Sequence, residues 1–346
     1  MADRVISRRS LLAVAAGGAA AAAATPWGPA LAATAGGGRS GLPWASGMCG
    51  PGITGRAAAT DIDAQEAFRG RGLDVQATFA NWRKGWKGWV DAPFWRAGLP
   101  EVLAERGIRV AHATPLLCAG SEGMFAECAA GEFDRYHRDV ARRWRDLGHP
   151  APVIRLGWEA TDDSNPWNAR QDTTPGRRAY KEAFRRIAEV YRRELPGCEL
   201  EWNNLRRPGG DVREFYPGDD WVDIVAADIY ANEPGLQEDE DWEKFANGLD
   251  RSGGPGGLLS HARFAEQRGK RFAVAEWGVT NLERTPEGAY DSGRFVRGMW
   301  EFFSRHAGKL AYECYFNRNG GRGDHRIHPP EYNPRASAAY AGLWRP

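Results

Sequence analysis

Residues 152–160, with the sequence PVIRLGWEA, decide the fold, because they begin as a buried strand and end in a carboxylate before a polar loop. Side chains alternate between the two faces of a strand, so Arg155 and Glu159 are predicted to share one face with Val153 and Gly157. Burying an Arg and a Glu on an apolar strand is costly unless another group pairs with them or uses them. The segment therefore predicts a strand that carries charged groups towards a site.

Residues 271–278, RFAVAEWG, repeat this design, since an apolar strand again runs into Glu-Trp and a loop. Taken alone, either Glu could be a solvated strand end or half of a buried ion pair. Two such endings, at Glu159 and Glu276, favour a functional pair. Two carboxylates at strand ends are what acid–base cleavage of a glycosidic bond requires.

Length and charge narrow the class of protein. The 346 residues suit one large barrel or two ordinary domains. The net charge of +1 gives no electrostatic reason to expect nucleic acid or an anionic membrane as a partner. The 15 Trp residues suit both a core and stacking on sugar rings.

The N-terminus has the pattern of an export signal. Residues 7–12, SRRSLL, form a twin-arginine pattern, and an Ala-rich run and a small-residue cleavage site at 30–32 follow. We predict a signal peptide over 1–32, a linker over 33–44 and one domain over 45–346, secreted or periplasmic. The apolar run is too short for a stable membrane span. A disordered Ala-rich tail is the alternative.

Five cysteines follow the predicted signal, in a compartment that permits disulfides. Cys118 and Cys128 flank one Gly-rich loop and are the predicted pair. The odd number leaves at least one free thiol, and the spacing gives no metal cage. The other three cysteines are Cys49, Cys198 and Cys314.

Short apolar runs alternate with amphipathic ones along the chain. Strands are predicted near 45–49, 75–81, 109–116, 152–159, 199–204, 222–230, 271–277 and 309–317. Helices are predicted near 62–70, 96–106, 133–144, 180–191, 258–268 and 290–305. This alternation predicts an α/β fold, a single (β/α)8 TIM barrel. An open doubly wound sheet is the alternative, but the first strand is not followed by a Gly-rich phosphate loop.

In such a barrel, active residues lie at the C-terminal ends of the strands and in the loops that follow. Glu159 ends the fourth predicted strand and Glu276 the seventh. The loops at 161–177, 231–257 and 318–330 are long and lie on the same rim, which predicts a cleft.

Several segments, in order along the chain, resemble glycoside hydrolase family 26, a family of clan A known for β-mannanases. They are 154–159 (IRLGWE), 165–167 (NPW), 201–203 (EWN), 216–220 (YPGDD), 222–224 (VDI), 228–230 (DIY), 269–270 (GK) and 275–278 (AEWG). The resemblance runs from about residue 45 to the C-terminus and is closest to less-studied bacterial branches.

The resemblance implies roles for individual residues. Glu159 resembles the family's general acid/base and Glu276 its nucleophile, which implies retaining hydrolysis. Tyr230 resembles the tyrosine near the nucleophile, and Trp167 resembles an aromatic residue of the sugar subsites. Trp158 departs from the pattern, because the compared mannanases have His before the acid/base.

Other residues are predicted to contact substrate: Asn203, Asn317 and Phe316 lie near strand ends, and Trp82 belongs to a Trp cluster after the second strand. The full predicted set is Trp82, Arg155, Trp158, Trp167, Asn203, Tyr230, Trp277, Phe316 and Asn317. For Arg155, a second interpretation is an ion pair in the barrel core with Glu201, Asp228 or Glu313.

The sequence thus predicts an exported, monomeric glycoside hydrolase whose partner is a carbohydrate, with no cofactor or metal. Its substrate is left open between β-mannan, another β-glucan and an exopolysaccharide. A barrel that binds carbohydrate without catalysis is the alternative. A metal-dependent hydrolase would need His and Asp pairs at strand ends, and the sequence has no such set.

Overall fold

The computed structural model describes residues 38–50, 55–231, 236, 238–281, 290–320 and 323–346. All of these belong to one compact unit. The predicted signal peptide over 1–32 and residues 33–37 of the predicted linker lie outside the described residues. Within the described residues, none of the helices has the length and apolar character needed to span a bilayer.

Eight parallel strands close into a barrel in the order β1 to β8. They are β1 Ser46–Cys49, β2 Val75–Phe79, β3 Arg109–Thr114, β4 Val153–Leu156, β5 Glu199–Leu205, β6 Ile224–Ala231, β7 Arg271–Val279 and β8 Leu310–Phe316. β1 pairs with β8 from Ser46 opposite Glu313 to Cys49 opposite Phe316, which completes the closure. The predicted (β/α)8 barrel is confirmed, and the open sheet is excluded.

Helices surround the barrel. They are α1 Gly55–Arg69, α2 Gly85–Val90, α3 Leu99–Glu105, α4 Phe125–Ala130, α5 Asp134–Asp146, α6 Arg178–Glu194, α7 Asp239–Asn247, α8 Leu258–Gln267, α9 Gly293–His306 and α10 Pro334–Trp344. The six predicted helices are present. The loop predicted over 231–257 instead contains α7, whose first turn is acidic. Acidic side chains at a helix N-terminus complement the helix dipole, so this run favours a helix there.

The barrel interior is built mainly from small side chains. Its apolar cluster includes Ala77, Ala111, Ala226, Ala273 and Ala275. The large apolar side chains, by contrast, pack between the strands and the helices. Small interior residues leave room for charged side chains to enter the barrel from the strands.

An irregularity in β7 decides which way its carboxylate points. Ala226 of β6 pairs with Ala273, but Ile229 pairs with Trp277, so β7 has one more residue than β6 between these pairs. A bulge of this kind re-aims the side chains that follow it. Ala275 faces the interior, Glu276 also reaches the interior charges, and Trp277 packs outside the barrel.

β4 ends three residues before Glu159, so strand alternation does not place this carboxylate as the sequence predicts. Instead the chain turns, with φ of +58° at Gly157 and +48° at Glu159. A Cβ on Gly157 would lie 3.3 Å from the Leu116 Cβ. The positive φ and the limited space for a Cβ therefore both favour glycine at this position. The turn, not the strand, carries Glu159 to the rim.

The predicted Cys118–Cys128 disulfide is wrong, since all five cysteines are free and buried. The Cys128 Sγ faces the Leu116 carbonyl oxygen at 3.9 Å. Burial raises the pKa of both the Cys118 and the Cys128 thiols. Each is therefore a small, unreactive core residue.

The helix α10 packs against the outer side of β7 and β8. Trp344 stacks on Tyr340 with ring centroids 4.2 Å apart, and its ring contacts Trp277 at 5.4 Å. The Trp344 Nε1 donates to Ser46 Oγ at 3.2 Å, and the Trp277 Nε1 donates to Glu313 Oε2 at 2.6 Å. These two indoles thus satisfy buried polar groups of the first and last strands.

We predict that Trp344→Ala lowers the free energy of unfolding by about 3–5 kcal/mol, because it removes a large buried ring and leaves a cavity. Denaturant unfolding measures the change. The control is Leu249→Ala, whose side chain is exposed, with an expected change within about 0.5 kcal/mol. Equal effects of the two variants would contradict the assigned role of α10.

Candidate active site

Arg155 lies fully buried at the floor of the barrel mouth and pairs with carboxylates from three strands. Its Nε lies 3.1 Å from Glu201 Oε1 on β5. Its Nη2 lies 2.9 Å from Asp228 Oδ2 on β6 and 2.8 Å from Glu276 Oε1 on β7. The predicted ion pairs with Glu201 and Asp228 are confirmed, but Glu313 instead bonds to groups behind the barrel wall.

The charges of this cluster are unequal, since three carboxylates share one guanidinium. Burial raises the pKa of Asp228, and Glu276 adds to this, while Arg155 opposes it. Burial likewise raises the pKa of Glu201 against the effect of Arg155. Burial disfavours the charge of Arg155, but Asp228, Glu276 and Glu201 together raise its pKa well above the usual value. The guanidinium therefore stays charged, and the charge balance of the site sets it against carboxyls whose pKa values burial raises.

Glu276 is held at both oxygens. Oε1 faces Arg155, and Oε2 accepts a hydrogen bond of 2.8 Å from the Tyr230 hydroxyl. Burial raises the pKa of Tyr230 and Glu276 raises it further, so the phenol keeps the proton that it donates. A cation at one oxygen and a hydrogen-bond donor at the other fix the rotamer of this carboxylate.

Glu159 is half-buried at the rim, and its backbone N–H donates to Asn203 Oδ1 at 2.8 Å. The Asn203 Nδ2 donates to Asp228 Oδ1 at 2.8 Å, which ties the turn to the charged floor. Glu159, Asp228 and Glu276 each place a carboxylate oxygen within 4.8 Å of the others. Their separation is close to the spacing of about 5–5.5 Å between the paired carboxyls of retaining glycosidases.

These three carboxylates are also the described residues that could hold a hard cation, since such ions prefer oxygen ligands. However, Arg155 already pairs with Asp228 and Glu276. A protein cation thus supplies the positive charge at this point, and the geometry needs no metal to hold the carboxylates together.

The predicted tryptophans form a stack beside the turn, with unequal access to a ligand. Trp167 is fully buried; its Nε1 donates to the Trp158 carbonyl oxygen at 2.8 Å. Its ring contacts Trp158 at 4.5 Å and Trp82 at 5.7 Å. Trp82 is half-buried, and Trp158 is 7% exposed. Trp82 is therefore available for stacking, whereas Trp167 supports the other two rings.

Opposite this stack, Tyr230 and Phe316 are half-buried and in contact, with centroids 5.9 Å apart. His325 packs against both rings, at 4.9 Å from Tyr230 and 5.4 Å from Phe316. Its Nδ1 bonds the Val279 carbonyl oxygen at 2.8 Å, so Nδ1 carries the proton. Burial lowers the pKa of His325, which keeps the ring neutral. His325 is not among the predicted site residues, because no local sequence pattern shows that its loop returns over the barrel.

Four of the residues predicted to contact substrate are instead buried and engaged with other protein groups. Arg155 and Asn203 are fully buried and engaged with other protein groups, so they position the carboxylates. Trp277 is fully buried on the outer side of β7, because the bulge turns it away from the mouth. Asn317 accepts from the Ile327 and His328 N–H groups and so fixes the loop after β8.

We predict that Arg155→Met lowers the free energy of unfolding by about 3–5 kcal/mol near neutral pH, because it leaves buried carboxylates without their cation. The folded-state pKa values of Asp228 and Glu201 are already raised and rise further in the variant. The unfolded carboxyls titrate alike in both proteins. The deficit therefore grows as pH rises through the raised folded-state pKa values of wild type, where its carboxyls lose protons that those of the variant keep, and it shrinks at lower pH.

Urea unfolding of wild type and variant at about pH 4.5 and about pH 8 measures this difference. The matched control is Arg145→Met, since Arg145 pairs with Asp146 at the surface with both side chains largely exposed. An exposed pair of this kind contributes about 0–1 kcal/mol. A deficit for Arg155→Met that is the same at both pH values would contradict the proposed charge balance.

The fold and this site together have the architecture of a (β/α)8 glycoside hydrolase, with carboxylates at the ends of β4 and β7. Residues 138–249 match the sequence model of Glycosyl hydrolase family 26. This segment of the barrel is therefore similar to glycoside hydrolase family 26, in agreement with the motifs of the sequence. The matched segment contains Glu159 and Tyr230 and ends before Glu276.

Solved structures with the same fold include three from this family. A modular endo-β-1,4-mannanase from Cellulomonas fimi is 16% identical, with a TM-score of 0.62 over 86% of this chain and 70% of that chain. GH26C from Muricauda sp. MAR_2010_75 is 14% identical, with a TM-score of 0.63 over 87% and 84%. The catalytic domain of the Bacillus sp. JAMB-750 GH26 endo-β-1,4-mannanase is 14% identical, with a TM-score of 0.62 over 89% and 87%. No curated protein sequence matches the chain.

Proposed function

We propose that the protein hydrolyses a β-linked polysaccharide or oligosaccharide with retention of configuration, using Glu276 as nucleophile and Glu159 as acid/base. The observation that carries the proposal is the arrangement of these two carboxylates, with oxygens within 4.8 Å of each other at the mouth of the barrel. An inverting enzyme needs a wider gap of about 6.5–9.5 Å to admit a water molecule between the sugar and the base.

In the first step, the ionised Glu276 attacks the anomeric carbon and forms a glycosyl ester. Arg155 and Tyr230 hold the two oxygens of Glu276, so its rotamer is set before the sugar arrives. Glu159 donates its proton to the leaving glycosidic oxygen, and the bond between that oxygen and the anomeric carbon breaks. The leaving chain departs as an alcohol, and Glu159 becomes ionised.

In the second step, Glu159 accepts a proton from water, and the resulting oxygen attacks the anomeric carbon. The ester bond breaks and Glu276 is regenerated as a carboxylate. Glu159 therefore needs a raised pKa at rest and a lower one after attack. The change in the charge of Glu276 between its free and esterified forms supplies this shift.

β-Mannan is the first candidate substrate, because solved structures with this fold are named as endo-β-1,4-mannanases. Trp158, in place of the His of the compared mannanases, lies directly before the proposed acid/base. An indole here offers one N–H donor but no ring nitrogen that could accept a hydrogen bond from a sugar hydroxyl. Another β-glucan and an exopolysaccharide therefore belong in the same test.

We predict that wild type releases reducing sugar from one class in a panel of β-mannans, β-glucans, xylans and bacterial exopolysaccharides, and that Glu276→Ala abolishes release. Glu159→Ala lowers kcat by about 10²- to 10⁴-fold, the usual contribution of a general acid. On an aryl β-glycoside, azide restores turnover of Glu276→Ala with an inverted α-glycosyl azide as product. In Glu159→Ala, azide instead attacks the glycosyl ester on Glu276, and the product is the β-glycosyl azide with retained configuration.

Glu331→Ala removes an exposed carboxylate and is the matched control, with unchanged rates expected. Activity in Glu276→Ala without azide would remove this residue from the mechanism. A glycan that raises the melting temperature without any release of reducing ends would favour the alternative, a carbohydrate-binding barrel without catalysis.

We also propose export through the twin-arginine signal at 7–12 and cleavage near residue 32. Fusing residues 1–32 to a folded reporter should move it out of the cytoplasm of a bacterium with the twin-arginine pathway. The double change Arg8→Lys and Arg9→Lys should retain the reporter inside, as measured by cell fractionation. Equal export of both fusions would contradict the twin-arginine assignment.

A further inference from the structure

A cavity of about 450 Å3 opens at the start of the segment that follows β2. Its lining includes the half-buried ring of Trp82 and three cationic side chains, Arg83, Lys84 and Arg318. No Asp or Glu occurs among the described residues that line it. A volume of this size is typical of small-molecule sites.

The cations of this cavity differ in pairing from Lys87 of the same segment. Within the described part of the chain, no carboxylate lies at ion-pair distance from Arg83, Lys84 or Arg318, whereas Lys87 in the same segment pairs with Asp91. The Arg83 guanidinium lies over the Trp82 ring, 4.4 Å from its centroid. Unneutralised cations around one cavity create a positive potential that attracts an anionic ligand.

Arg318 is the cation nearest the proposed chemistry. It is half-buried, and its guanidinium lies 5.8 Å from the Phe79 centroid and 5.9 Å from the Phe316 centroid. Aromatic contacts of this kind fix the guanidinium plane without using its hydrogen-bond donors. One of its donors faces the buried Cys49 thiol. The others are available for a planar acceptor such as a carboxylate, which guanidinium groups bind with two parallel hydrogen bonds.

A further polar group on the cavity lining has no protein partner. Gln76 is 4% exposed, and its Oε1 is buried without a hydrogen bond among the described residues, while its Nε2 donates to the Ala77 carbonyl oxygen. A buried acceptor without a donor is costly. A ligand hydroxyl would satisfy it, which fits a sugar better than a simple inorganic anion.

A row of aromatic rings connects the cavity with the candidate active site. Phe79 lines the cavity and contacts Phe316 at 5.8 Å, and Phe316 contacts Tyr230 at 5.9 Å. The Tyr230 hydroxyl in turn bonds Glu276. A glycan that reacts at Glu276 can therefore extend a neighbouring sugar along these rings into the cationic cavity.

We propose that this cavity is a subsite for an acidic sugar, with Arg318, Arg83 and Lys84 binding a uronate carboxylate and Trp82 stacking on a sugar ring. This inference rests on the proposed function, because it narrows the substrate of the same site. The preferred glycan is then a β-linked chain that contains uronic acid, rather than a neutral one.

The test uses a matched pair of substrates: a uronate-containing β-linked polysaccharide and the same polymer after chemical reduction of its carboxyl groups. The two share backbone and linkage and differ in charge alone. We expect wild type to favour the acidic form in kcat/KM by about 10- to 100-fold, the range of one or two charge-assisted hydrogen bonds. The preference should fall as salt is added.

The variants are Arg318→Gln and the double change Arg83→Gln with Lys84→Gln, which leaves Trp82 in place. Each should lower the acidic-to-neutral ratio of kcat/KM by about tenfold or more. Lys87→Gln, an exposed residue of the same segment whose cation pairs with Asp91, is the charge-matched control and should keep the ratio. A glycan without uronic acid that carries sulfate esters tests whether a sulfate ester, rather than a carboxylate, is the anion.

The outcomes separate this inference from the function on which it rests. Hydrolysis that depends on Glu276 but is equal for both forms of the polymer would overturn the acidic subsite and leave the hydrolase. If neither form is hydrolysed, calorimetry with an acidic oligosaccharide decides. Binding that Arg318→Gln weakens would then support the subsite without catalysis, and no binding would overturn the subsite. Preference for the sulfated glycan alone would overturn the uronate assignment.

Discussion

The salt-bridge cluster of Arg155 with Glu201, Asp228 and Glu276 is the interaction on which the rest of the site depends. A guanidinium is always charged, so its burial requires carboxylates, and these come from three adjacent strands. Because each carboxylate is fixed to the same cation, the strands cannot shift relative to one another without unpairing a buried charge. Asn203 extends this constraint to the backbone of Glu159.

The barrel accommodates this charge because its inner and outer layers differ in side-chain size. Alanines fill much of the interior, and long polar side chains occupy the space that they leave. The outer layer holds the indoles, among them Trp277 and Trp344, whose N–H groups bond Glu313 and Ser46. Stability thus comes mainly from the outer layer, and the interior can carry groups that chemistry needs but that packing alone would not favour.

The mouth of the barrel has two chemically different sides. Carboxylates from β4, β6 and β7 surround Arg155, while the side next to β1, β2 and β8 bears cations without carboxylate partners in the described residues. Aromatic rings connect the two, from Phe79 through Phe316 to Tyr230. This asymmetry exists at a net charge of only +1, so it reflects local placement and not overall composition.

The eight-stranded barrel and the residues that carry its charges follow from the sequence, because apolar runs bounded by Gly, Pro, Asn and Asp are local signals of strands. Since buried charges must pair, the sequence also predicted an ion pair of Arg155 with Glu201, Asp228 or Glu313. The directions of the side chains depend instead on the tertiary structure. A one-residue bulge turned Glu276 inward and Trp277 outward, a left-handed turn placed Glu159, and a returning loop engaged Asn317. Such features arise from pairing and closure between distant segments, which alternation along one strand cannot reveal.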